Sequence, residues 1–229
     1  MSTRITGISS MATRGVLNDL ALQYTQNTGQ GLAFESVGGV DAAKRVQAGE
    51  VVDIIVLAAD VIAKLVAGGQ AVSGSAVALV HSGVSVAVPA GAAQPDISSE
   101  AAVRAAVLAA PSVGYSTGPS GVALVKLFER WGIADQIKDR LVQAKPGVPV
   151  GSLVAAGQLA LGFQQLSELI HQDGIIVVGP LPPAIQITTT FSAALCRSGR
   201  QPELARAALQ FLASAEAATA KLHHGMQPA

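Results

Sequence analysis

Apolar and polar positions alternate between two periods along the first seventy residues. Ile5 to Ser9 reads as a strand. From Ala12 to Gln26 the spacing lengthens to that of a helix, with Val16, Leu17, Leu20, Ala21 and Tyr24 on one face. Gly29 and Gly31 punctuate the loop that follows, and Leu32 to Glu35 is a short strand. Val40 to Ala48 is a helix stopped at Gly49, Val51 to Ala58 an apolar strand, and Val61 to Ala67 a short helix ended by Gly68-Gly69. Three strand–helix units in a row predict a parallel sheet with right-handed crossovers.

The pattern then changes. Ala76 to Val80 and Val84 to Val88 are β-rich runs separated by His81-Ser82-Gly83. A second alternation follows, with helix Ser99 to Ala109, strand Val113 to Tyr115, helix Gly121 to Trp131, helix Val150 to Ala156 and strands Leu159 to Gln164 and Ile175 to Val178. Ile185 to Cys196 is again β-rich. Pro202 to Ala220 predicts one long terminal helix with Leu204, Ala207, Ala208, Phe211 and Leu212 on its apolar face. The β-rich runs near 84–88 and 187–195 each fall between alternating regions. They predict an α/β protein of two lobes joined by two crossing strands, with a ligand cleft between the lobes. The expected boundaries are 1–83 plus 192–229 for one lobe and 84–191 for the other.

Composition narrows the function. Of 229 residues, half are hydrophobic and 13% are charged, with formal net charge zero and 3% aromatics. Nucleic-acid binding needs phosphate-neutralising cations and stacking rings, so it is not expected. A small anion is compatible, because backbone N–H groups and hydroxyls hold anions without net positive charge. The single cysteine, Cys196, forms no intrachain disulfide and supplies no cysteine cluster for zinc. Its apolar surroundings predict a buried thiol. Neither a cofactor nor a metal is implied. His223 and His224 are adjacent, point to different faces, make a poor metal pair and are expected at the surface. No apolar run approaches the ~20 residues that span a bilayer, so no membrane insertion is expected. The first strand begins almost at Met1 with no leader before it. Cytoplasmic location is the expectation for the sequence as written. The periplasm is the alternative if Met1 replaces a cleaved leader, and an ABC permease would then be a partner. A monomer is expected.

Candidate site residues gather at strand-to-helix turns. Ser9-Ser10 precede a helix N-terminus, as helix caps or as anion donors. Arg14, one turn on, is either a solvated helix residue or a carboxylate clamp. Gly38-Gly39 allow close backbone approach at a second such turn. His81 and Ser82 lie just before the first crossing strand, where a histidine can exchange a proton near neutral pH. Tyr115-Ser116-Thr117-Gly118-Pro119-Ser120-Gly121 brings a strand end, three hydroxyls from Ser116 onward and two glycines to the start of a helix. This is the strongest anion cradle in the chain, and it is neither a dinucleotide fingerprint nor a P-loop. Gln164, Gln165, Ser167 and Glu168 end an apolar run with four polar residues in five positions, on one wall of the predicted cleft. Ligands of open α/β sheets bind beyond the strands' carboxyl ends.

These segments, with Gln47-Ala48-Gly49 before Val52-Asp53-Ile54-Ile55-Val56, resemble the molybdate-binding branch of the type II periplasmic solute-binding proteins over essentially the whole chain. Within that fold, Tyr115 to Gly121, Gly132 to Lys138, Gly162 to Leu169 and Val178 to Pro182 are similar to the aconitate isomerase-like proteins. Gly38 and Gly39 stand where molybdate binders place a serine, and Gln165 near where they place a tyrosine, which points to a flatter, multi-oxygen carboxylate. The resemblance implies an allylic proton shift interconverting trans- and cis-aconitate. His81, Glu168 or Tyr115 would move the proton, while the serine, threonine, glycine and glutamine positions hold carboxylates. A non-catalytic binding protein for an oxyanion or organic acid is the alternative. A sensing domain cut from a transcription regulator is a third, without a DNA-binding helix pair in this chain.

Overall fold

The computed structural model describes residues 4–229. The chain forms two compact α/β units, one running to Ser82 and resuming at Thr189–Ala229, the other Gly83–Thr188.

The first unit opens with β1 (Ile5–Ser10), α1 (Arg14–Thr28), β2 (Leu32–Val37), α2 (Gly39–Gln47), β3 (Ile54–Ala58) and α3 (Ala59–Ala67). β1 runs parallel between β2 and β3, as the strand–helix alternation predicts. α1 stops at Gly29, whose left-handed backbone (φ 71°) lets its N–H reach back to the Thr25 carbonyl. The chain leaves this unit along β4 (Val77–Pro89), which crosses the boundary between the units.

The second unit holds α4 (Glu100–Ala109), β5 (Val113–Tyr115), α5 (Pro119–Arg130), α6 (Ala134–Ile137), β6 (Leu141–Gln143), α7 (Val150–Ala155), β7 (Leu161–Gln165), α8 (Leu166–Leu169) and β8 (Ile175–Pro180). β5 lies between β6 and β7, parallel to both. The second half of β4 runs antiparallel to β7 and β8. The chain returns on β9 (Thr188–Leu195), antiparallel to β3, and ends with α9 (Pro202–Ala213), α10 (Ala218–His223) and β10 (Gln227–Pro228).

Each unit has its own apolar core. In the first, Ile5, Leu17, Leu20, Ile54, Val56, Ala208 and Leu212 pack on one face of the sheet, and Ile8, Ile55, Leu57, Ile62 and Leu65 on the other. In the second, Val84, Val86, Val103, Leu124, Phe128, Leu161 and Phe163 form the larger cluster. Asp53 is the polar fastener of the first unit. Its buried carboxylate accepts from the Thr6 N–H and hydroxyl and from the Arg200 and Gln201 N–H groups.

Four expectations need correction. His81-Ser82-Gly83 is not a break: β4 runs straight through it, because Val80 and His81 pair with β10 and Val84 onward pairs with β7. The terminal helix is two helices, since the Ser214 hydroxyl takes the Phe211 carbonyl in competition with the backbone ladder. α9 buries Ala205, Ala208, Leu209 and Leu212, while Leu204 and Ala207 are exposed. His224 is not at the surface: it is buried, its Nε2 lies 2.8 Å from Asp19 Oδ2, and its ring packs where a Cβ on Gly15 would sit. Cys196 is buried and free, its thiol pushed up to about 12 chiefly by burial. No helix among the described residues is long and apolar enough to cross a membrane.

Candidate functional site

In the first unit, polar groups collect at the carboxyl ends of β1 and β2. Their register sets Ser9 beside Ser36 and Ser10 beside Val37. The Ser9 and Ser36 hydroxyls share a hydrogen bond of 2.8 Å. Ser10 precedes a turn of 3-10 helix but caps nothing. Its hydroxyl is buried and has no partner, and its Cβ lies 3.6 Å from where a Cβ on Gly39 would be. Gly38 caps α2 and Gly39 is its first residue, so the Ser10 side chain sits against a helix N-terminus, where N–H groups lack intrahelical acceptors. Arg14 is exposed at the first position of α1. His81 is half-buried within β4, its Nδ1 2.9 Å from the Thr190 hydroxyl, and Ser82 is fully buried with an unpartnered hydroxyl.

In the second unit, β5 and β7 deliver the remaining predicted residues. Tyr115 pairs with Phe163, so the turn that begins at Ser116 starts abreast of Gln164. Tyr115 is half-buried and packs against the core. Ser116, Thr117 and Gly118 form the turn. Pro119 opens α5 two residues earlier than the apolar spacing suggests, because proline's fixed φ suits a first helical position. The Ser116 and Ser120 hydroxyls lie 3.4 Å apart. Gly121 is obligatory here: a Cβ on it would sit 1.8 Å from the Ser116 carbonyl oxygen. Gly121→Ala should therefore open the turn, lowering stability by about 3 kcal/mol in urea unfolding and weakening anion binding. Unchanged stability and affinity would show that the turn does not depend on this close approach.

The four polar residues after Phe163 do not form one wall. Successive strand side chains point to opposite faces. Gln165 shares the face of Phe163 and Val84, and Gln164 shares that of Ser85, its cross-strand partner. The Gln164 side-chain carbonyl oxygen accepts the Gly151 N–H at 3.0 Å. Ser167 presents a buried hydroxyl without a partner. Glu168 is half-buried on α8. Burial pushes its carboxyl up to about 7, and the Gln164 hydrogen bond pulls the other way.

Two residues escaped the sequence reading. Ser36 rather than Gly38 or Gly39 brings the hydroxyl of the second turn, as its place at the end of β2 signals. Ser85, fully buried with no partner for its hydroxyl, is the one polar residue in Val84 to Val88. Chemically, the hydroxyls and helix N-termini suit oxygen-rich anions. A carboxyl titrating near neutrality suits proton transfer. Among the described residues no cluster of His, Cys, Asp and Glu could hold a metal ion.

Two α/β units, entered and left through β4 and β9, with parallel strands followed by helices in each, give the chain the fold of the type II periplasmic binding proteins. Residues 5–227 match the bacterial extracellular solute-binding proteins, and the chain belongs to that family. It is 38% identical to an aconitate isomerase from a Pseudomonas species over 234 residues, covering 99% of this chain and 88% of that protein. Among solved structures it is similar to the periplasmic molybdate-binding protein of Azotobacter vinelandii, with a TM-score of 0.81 at 20% identity over 97% of this chain and 98% of that one. It is also similar to a tungstate-binding protein from Desulfovibrio alaskensis G20, with a TM-score of 0.69 at 19% identity over 98% of each chain. Fold class and family therefore agree with the resemblance carried by the sequence segments.

Proposed function

We propose that this protein is an isomerase that moves a proton across an allylic system in an unsaturated tricarboxylate of the aconitate type. The observation that carries the reading is Glu168, a half-buried carboxyl near the carboxyl end of β7 that burial brings to about 7. A base with that affinity is part ionised at neutral pH, so it both takes and returns a proton. It removes a proton from the methylene carbon beside a carboxylate. The double bond shifts by one position, and the proton is delivered to the carbon that was vinylic. The negative charge that develops on the carboxylate oxygens needs fixed donors, and the Ser116 and Ser120 hydroxyls at the start of α5 are of the right kind. The identity with a named aconitate isomerase over nearly the whole chain supports the same reading. Purified protein mixed with trans-aconitate at pH 7.5 should yield cis-aconitate on chromatography. No turnover of any unsaturated tricarboxylate would overturn the proposal.

The family description and the molybdate- and tungstate-binding neighbours favour a second reading, capture of a solute for an ABC transporter without chemistry. Thermal shift separates the two. Stabilisation by molybdate or tungstate alone, with none by aconitate or citrate, supports capture of an oxyanion.

A further inference from the structure

We infer that Ser9 and Ser36 are positioning residues: their shared hydrogen bond braces the ends of β1 and β2 and so fixes the gap between the Ser10 hydroxyl and the start of α2, in which an oxygen-rich anion is held. Ser9 and Ser10 divide the work because successive strand side chains point to opposite faces. Ser9 is wholly buried, so no solute reaches it. Its hydroxyl donates to the Ser10 carbonyl oxygen at 3.3 Å, which leaves the Ser36 hydroxyl as donor in the 2.8 Å bond between the two serines. The buried Thr13 hydroxyl donates to the same Ser10 carbonyl at 3.1 Å. A chain of hydroxyls from Ser36 through Ser9, joined by Thr13, thus holds the Ser10 backbone. The Ser10 side chain itself is 8% exposed, and its hydroxyl has no partner among the described residues.

The facing donors come from β2. In the parallel register Ser9 lies beside Ser36 and Ser10 beside Val37, and α2 begins two residues after Val37. No side chain among the described residues caps α2, and its first bond to the cap is the Ala42 N–H to the Gly38 carbonyl at 2.9 Å. The N–H groups of Gly39, Val40 and Asp41 precede that bond and lack acceptors within the helix. Ser10 sits against them, its Cβ 3.6 Å from the point where a Cβ on Gly39 would be, and Gly39 is only half-buried. A buried hydroxyl without a partner costs free energy, which a ligand oxygen recovers on binding. Helix N–H groups beside it favour a ligand that is negative. The Ser9–Ser36 bond links the two strands one residue before their last pair, so without it these two sets of donors are no longer held at one spacing.

An anion seat at this turn is common to the isomerase and the capture readings, and the inference rests on that seat rather than on turnover. The test is calorimetric titration of trans-aconitate, citrate and molybdate into the wild-type protein and its variants at pH 7.5. For each anion that the wild type binds, Ser36→Ala should weaken affinity about fivefold, and Ser36→Thr, which keeps the hydroxyl, should stay within about twofold. Ser9→Ala removes both bonds and should lose about tenfold. Ser10→Ala should also lose about tenfold, and adding Ser36→Ala to it should cost less than about twofold more, because the brace acts through Ser10. Side chains needed only for folding would lower the melting temperature of the free protein and leave the affinity of the folded molecules unchanged, and that result would overturn the inference. So would threonine no better than alanine at position 36, or a wild type that binds none of the three anions. Full additivity on the Ser10→Ala background would overturn it too, and make Ser36 a direct ligand. Coupled losses in a protein that binds trans-aconitate without converting it would support the inference while the isomerase reading fails.

Discussion

Glu168→Gln should lower kcat for trans-aconitate by about 10³-fold while leaving substrate affinity within a few-fold. Amide for carboxyl keeps shape and one acceptor for Gln164 but cannot accept the substrate's proton, and general-base catalysis is commonly worth about 10²–10⁴. The same variant carries a second signature in stability. The folded carboxyl titrates near 7, whereas the unfolded one does so near 4.5, so between those values the folded protein holds the extra proton. Stability contributed by this group is complete below about pH 4.5, falls as pH rises to about 7, and stays lost above that. Glutamine is neutral throughout and escapes the loss. Glu168→Gln should therefore match wild type at pH 4 and exceed it by about 2 kcal/mol at pH 8.5, a figure discounted for the partial exposure of the side chain. Thermal or urea unfolding at the two pH values measures the difference. Equal stability at both, with full activity, would remove Glu168 from the role of buried base.

Asp53→Ala should cost about 3–5 kcal/mol, the largest stability loss expected from a single polar residue here. The Asp53 carboxylate accepts four hydrogen bonds, from the Thr6 N–H at 2.9 Å, the Thr6 hydroxyl at 3.2 Å, the Arg200 N–H at 2.8 Å and the Gln201 N–H at 3.1 Å. Alanine leaves those donors without their acceptor in a site that is 5% exposed. It also releases the segment leading into α9 from β1 and β3. Asp53→Asn, which keeps one acceptor oxygen, should fall between alanine and wild type in urea midpoint. A loss below about 1 kcal/mol for alanine would mean that water or rearranged backbone replaces the carboxylate.

The first unit was legible in the sequence because its apolar spacing switches cleanly between strand and helix at Ser9-Ser10, Gly29 and Gly49. The hydroxyl turn from Ser116 to Gly121 was legible for a similar local reason: three hydroxyls, two glycines and a proline at a helix start have few other uses. What escaped depends on partners distant in the chain. β4 reads as two strands until β10, some 150 residues later, pairs across His81. The break at Ser214 carries neither proline nor glycine, only a hydroxyl that competes for a carbonyl. Gln164 and Gln165 look alike in sequence, yet strand geometry sends them to opposite faces, and Gln164 is occupied by the N–H of Gly151 thirteen residues earlier. Polarity at the end of β7 marks the segment but not which face each side chain takes. Nor does it mark Glu168 out from His81 or Tyr115, all three of which are half-buried.

Proton movement between the allylic carbons of one substrate is tested most directly by ¹H NMR of trans-aconitate in D2O with catalytic amounts of the wild-type protein. Signals of cis-aconitate should grow towards equilibrium, and far more slowly with Glu168→Gln. Unchanged trans-aconitate signals, in a protein that binds the compound, would contradict it and leave a binding protein without chemistry.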